Sequence, residues 1–126
     1  MTISELIRRA NLELTHMIAE NIVHNYSRDC AVDTGTLQRE ASYEINDVFN
    51  ITINLQFYWK YLEWGTKRGI QPHLTFTNSF DEALEFALVE NDDEDVWLRF
   101  AKQTLAKHKN MLHVKITDTN YPRVRK

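Results

Sequence analysis

His16, Glu20 and His24 recur at four-residue steps, which on a helix sets two imidazoles and a carboxylate along one side. These are zinc-type donors, but a single helix face needs at least one further ligand from another element to hold a metal. In a hydrolytic zinc helix a Glu follows the first His directly, and here that place is taken by Met17. The row therefore reads as a solvated helix face. Cys30 is the single cysteine, and Arg28 and Asp29 beside it nearly cancel in charge, so neither an internal disulfide nor an activated thiolate is expected. The chain holds no phosphate loop, no G-x-S-x-G elbow and no C-x-x-C pair. No catalytic residue, cofactor or metal is assigned, and the expectation is a protein that is not an enzyme.

Two other residue sets suit assembly better than turnover. Tyr58, Trp59, Tyr61 and Trp64 crowd into seven positions with Arg68 close behind, and aromatic and Arg side chains are the types enriched at contact hot spots. Asp33, Thr34 and Gly35 form a corner in which short oxygen-bearing side chains accept from nearby amides while the glycine is free to take positive φ. Gly65 and Thr66 end the aromatic run in the same way. The interface candidates are thus Tyr58, Trp59, Tyr61, Trp64 and Arg68, joined by Arg123, Arg125 and Lys126 at the basic end of the chain.

The chain has 126 residues, 43% hydrophobic and 26% charged, with a formal net charge of −3. That length suits one domain with a sizeable core, here assigned to residues 1–120, followed by a basic tail at 121–126. No basic and apolar leader opens the chain and no apolar run approaches membrane-spanning length, so a soluble, unexported protein is expected. Charge is segregated. Between Asp81 and Asp95 there are only carboxylates, and from Arg99 onward cations are opposed by Asp118 alone. Opposite-sign faces on one small subunit suit head-to-tail association, although solvated helix faces produce the same pattern.

The elements that must position these residues follow from periodicity. Ile3, Leu6, Ile7, Ala10, Leu14, Met17 and Ile18 define the apolar stripe of a long first helix, with Thr2 and Glu5 at capping-box spacing and an end near Tyr26 or Arg28. Tyr43, Ile45, Phe49, Ile51, Ile53, Leu55 and Phe57 alternate with polar residues and predict a hairpin, wet on one face, that turns near 46–48. Ser79 and Glu82 predict the start of a second helix, with Phe80, Ala83, Leu84, Ala87 and Leu88 as its stripe and its end at 91–93. A third helix is expected over 94–108, burying Trp97, Phe100, Ala101 and Leu105, and a final strand through Leu112, Val114 and Ile116. The predicted class is α+β: a long N-terminal helix and a second helix packed on a small antiparallel sheet, with a third helix and a C-terminal strand.

The order of the short segments carries a resemblance. Val32-Asp33-Thr34-Gly35-Thr36-Leu37, then the hairpin, then Tyr58 to Thr66 ending in Glu63-Trp64-Gly65-Thr66, then Gln71-Pro72-His73-Leu74, resembles the tail-completion or neck protein family of tailed bacteriophages. The similarity spans roughly Met1 to Leu88. Ala31 stands where the family often has Pro, and Thr75-Phe76-Thr77 where it often has Arg-Pro-Ala. The resemblance implies a structural virion protein that forms a ring in the neck around the DNA channel, a homo-hexamer with a dodecamer as the alternative. It also implies contacts with other neck, head-closure or tail-tube proteins, passage of DNA without sequence-specific binding, no membrane, and assembly in the host cytoplasm. The rival reading from the residues alone is a small cytosolic nucleic-acid-binding protein using its basic end.

Overall fold

A computed structural model describes residues 1–29, 41–56, 59–65 and 74–119 of the chain. Helix α1 (Ile3–Asp29) comes first, followed by strands β1 (Ser42–Asp47) and β2 (Asn50–Gln56), a short helix α2 (Trp59–Trp64), helices α3 (Thr75–Ala87) and α4 (Val96–Lys107), a single 3-10 turn (Lys109–Met111) and strand β3 (His113–Thr119). The fold is α+β, as the periodicities predict. The Thr2 hydroxyl accepts from the Glu5 amide at 3.1 Å, so the predicted cap does open α1.

The buried stripe of α1 steps by four through Ala10, Leu14, Ile18, Ile22 and Tyr26. It is shifted from the expected one: Ile3 is exposed, whereas Ile22 and Tyr26, beyond the expected stripe, are fully buried. Asn25 is also buried, and its amide donates to the Ser79 carbonyl at 3.5 Å. Both shifts have one cause, because α3 packs against the C-terminal half of α1 and encloses it. Helix α4 packs on α1 as well, and α1 in turn covers one face of the sheet.

The sheet has the order β1-β2-β3. The hairpin β1-β2 is antiparallel, with a register shift between Ile45 and Asp47, whereas β3 adds to β2 in parallel from Asn50↔His113 to Gln56↔Thr119. The sheet is therefore mixed. Parallel addition needs a long crossover, and residues 57–112 with their three helices supply it. Ile51, Ile53 and Leu55 of the central strand are fully buried, each worth roughly 1.5–3 kcal/mol of apolar transfer.

The hairpin turns at Val48 and Phe49, overlapping the expected 46–48 at Val48 alone. Phe49 has φ 54, a left-handed conformation that a large side chain enters at a cost. Three contacts hold it there: its ring is buried, its amide donates to the Thr15 hydroxyl at 3.0 Å, and its carbonyl accepts from the His113 amide at 2.8 Å. Thr15 passes its own proton to the Asn11 carbonyl at 2.7 Å. One buried threonine thus ties α1 to the hairpin.

Two helix expectations need correction. Helix α3 starts at Thr75, four residues before the predicted Ser79, and ends at Ala87, short of the expected 91–93; Ser79 lies inside it, buried, donating to the Thr75 carbonyl at 2.8 Å. On α4 the buried residues are Leu98, Ala101, Lys102 and Leu105, while Phe100 is exposed and Trp97 half-buried. The face turns because Lys102 is drawn inward by Glu94 and by the Val89 carbonyl, which accepts at 2.7 Å. Asp95, just before the helix, caps it through the Trp97 amide at 3.1 Å.

Candidate functional site

The described part of the aromatic run is a helix of six residues, too short to persist in water without packing. Trp59 provides that packing. It is 8% exposed and its ring lies 5.3 Å from Trp64 and 6.2 Å from Phe76. Phe76 in turn meets Tyr26 of α1 at 6.2 Å and Phe80 at 6.4 Å. A continuous train of rings therefore runs from Trp64, which is 60% exposed, down to the core face of the first helix.

Glu63 fixes the other side of this corner. It is 4% exposed, and its carboxylate accepts from the Phe76 amide at 2.7 Å, from the Thr77 amide at 3.3 Å and from the Thr77 hydroxyl. The residue before α3, Leu74, has φ 49 and offers no side-chain cap, so a carboxylate from another element takes the cap's place. The Leu74 amide also donates to the Glu63 carbonyl at 3.2 Å. Gly65 follows with φ 76, a conformation that glycine takes without steric cost. The three consecutive residues have three roles: one is buried and caps a helix, one projects outward, and one takes a left-handed backbone conformation.

The predicted site residues thus separate. Trp59 faces the core, Trp64 faces solvent, and Gly65 takes a positive φ. Tyr61 lies within α2, its side chain outside the described residues; Tyr58, Thr66, Arg68, Asp33, Thr34, Gly35, Arg123, Arg125 and Lys126 also lie outside them. His16, Glu20 and His24 are exposed on α1, with His16 edge-on to Tyr43 at 6.2 Å. Among the described residues no three His, Cys, Asp or Glu side chains come together in a metal-binding group, and no helix is long and apolar enough to cross a membrane.

Much of the charge segregation is answered within the chain itself. Glu82 pairs with Arg28 at 3.0 Å, Glu90 with Arg99 at 3.8 Å, and Glu94 with the buried Lys102. Burial pushes the Glu94 carboxyl up, but hydrogen bonds from Lys102 and Asn91 and the Lys102 charge outweigh it and hold the carboxyl below its ordinary value. The sheet face away from α1 carries a polar ladder instead. Asn46 donates to Thr52 at 2.7 Å and to Asn50 at 3.2 Å, Asn54 donates to Ser42 at 3.3 Å, and Thr117 donates to Asn54. Sequence reasoning missed Glu63 and Lys102, because each acts on a partner remote in the chain or on an unexpected helix face.

Comparison with protein-family models, with curated proteins and with solved structures finds no match for this chain. The functional reading therefore stands on its residues and geometry.

Proposed function

We propose that the chain is a structural subunit of a tailed-phage virion that closes into a ring in the neck, where the tail is completed and joined to the head around the DNA channel. The observation that carries the reading is the corner Glu63-Trp64-Gly65. It belongs to the run on which the family resemblance rests, and its geometry suits a contact element: a buried cap behind, a glycine of positive φ beside, and an indole held out into solvent. A large exposed aromatic on a rigid support is the kind of residue that anchors a protein interface. The polar face of the sheet adds hydrogen-bonding groups for neighbours, and among the described strands β1 and β3 are the outer ones, where a further strand can pair.

In this reading the subunit acts by binding alone. Six copies are expected, twelve being the alternative, with other neck, head-closure or tail-tube proteins above and below and DNA passing without sequence-specific contact. The test is the composition of the particle. Purified virions are examined for the chain by mass spectrometry and for a ring at the neck by electron microscopy, with wild type compared with Trp64→Ala. The reading expects the chain in stoichiometric amount and defective joining in the variant; purified particles that lack the chain end it.

A further inference from the structure

A groove of 670 Å³ runs along α3 toward the end of α4. Phe80, Leu84, Leu88 and Val89 give it an apolar lining, and Asp81 and Glu85 stand among them. The described ion pairs involve Glu82, Glu90 and Glu94 and leave these two carboxylates out. Lys109 marks the opposite wall. Through Phe80 the groove continues into a second opening of 320 Å³ beside Leu112 and Val114, at the start of β3.

We propose that this groove receives segment 121–126 of a neighbouring copy, an inference that rests on the ring reading above for why copies meet. The segment Tyr121-Pro122-Arg123-Val124-Arg125-Lys126 has the matching chemistry. In the bound state proposed, a polyproline helix of three residues per turn, which a proline at 122 favours, Tyr121 and Val124 share one side. That side meets the apolar lining while the cations turn to Asp81 and Glu85. Lys109 disfavours cations on its own wall, so the orientation is fixed by charge as well as by shape.

Reach identifies the donor as another copy. Both openings lie at or before Val114, whereas β3 carries the chain on to Thr119 at the Gln56 end of the sheet, about 16 Å farther at about 3.3 Å per residue. Residues 120–126 span at most roughly 25 Å when fully extended. Arg123 lies four residues beyond Thr119, at most about 14 Å of chain, which is less than the return along β3 to the level of Val114. The segment and groove are different surfaces of one molecule, so the contact is head-to-tail, the type that propagates into a ring.

The experiment uses a labelled peptide of residues 119–126 titrated with the full chain carrying Arg123→Glu, Arg125→Glu and Lys126→Glu, so that its own tail does not compete. Saturable binding is expected at low salt, weakened at least about tenfold when Asp81→Lys and Glu85→Lys are added. These are exposed positions where substitution leaves folding intact. No saturation, or binding that ignores the groove reversal, overturns the proposal. Sedimentation of the unlabelled chains over a concentration series then reads the donor. Wild type is expected to self-associate, either reversal to weaken this, and both reversals in one chain to restore it. Peptide binding by a wild-type chain that stays monomeric overturns the neighbouring copy as donor. Neither result bears on whether the chain is present in the particle, so the two readings fail separately.

Discussion

The Glu63 carboxylate accepts from the Phe76 amide at 2.7 Å, and through that contact a residue of the aromatic corner caps a helix that begins twelve positions later. Glu63→Ala leaves the amides of buried Phe76 and exposed Thr77 without their carboxylate and is expected to cost about 1–3 kcal/mol, with Glu63→Gln costing less because one acceptor remains. Urea unfolding of the two variants measures the difference. Equal stability of Glu63→Ala and wild type refutes the cap.

Thr15 and Phe49 make a second long-range link. Thr15→Val keeps the shape but strands the buried Phe49 amide, at an expected cost of about 1–3 kcal/mol, while Thr15→Ser stays near wild type. Thermal unfolding distinguishes the pair, and a valine variant as stable as the serine one rules out the link.

Glu94 and Lys102 give a pH signature. The folded Glu94 carboxyl lies below its ordinary value of 4.5, so the stability it contributes is fully present above pH 4.5 and is lost as pH falls through the folded value. The deficit of Glu94→Gln relative to wild type is therefore expected to be largest near neutrality and to shrink under acid conditions. Denaturant titrations at several pH values supply the comparison; a constant deficit denies the carboxylate this role. Lys102→Met strands the carboxylate instead and is expected to cost roughly 3–5 kcal/mol at neutral pH.

Gly65 has φ 76, so Gly65→Ala forces a side chain into the left-handed region, with an expected loss of about 1–2 kcal/mol. Trp64→Ala, its neighbour, removes an exposed ring and is expected to change stability by less than about 1 kcal/mol while impairing assembly. Unfolding curves for both and particle yield for the second test the division of labour. A strongly destabilised Trp64→Ala contradicts it.

The hairpin was legible because a half-wet strand alternates with period two, and Ile51, Ile53 and Leu55 do so without exception. The direction of β3 was not, since alternation is the same for parallel and antiparallel neighbours. The start of α3 was hidden because its cap arrives from Glu63, whereas Ser79 and Glu82 imitate a cap at the right spacing inside the helix. Lys102 was hidden because a lysine reads as solvated until its carboxylate partner is placed. Within the candidate site, Trp59 and Trp64 are the same residue type five positions apart, and only the fold of α2 against Phe76 decides which of them enters the core.

The parallel pairing of β2 with β3 joins Asn50 to His113 and so postpones completion of the sheet until nearly the whole described chain exists. The hairpin and α1 are local and form early, but the central strand keeps an open edge while the helices between are still being made. Contacts so distant in sequence slow folding. During synthesis Ile51, Ile53 and Leu55 belong to an unfinished edge, and a chain cut short before His113 is left with a strand that seeks its partner in other molecules.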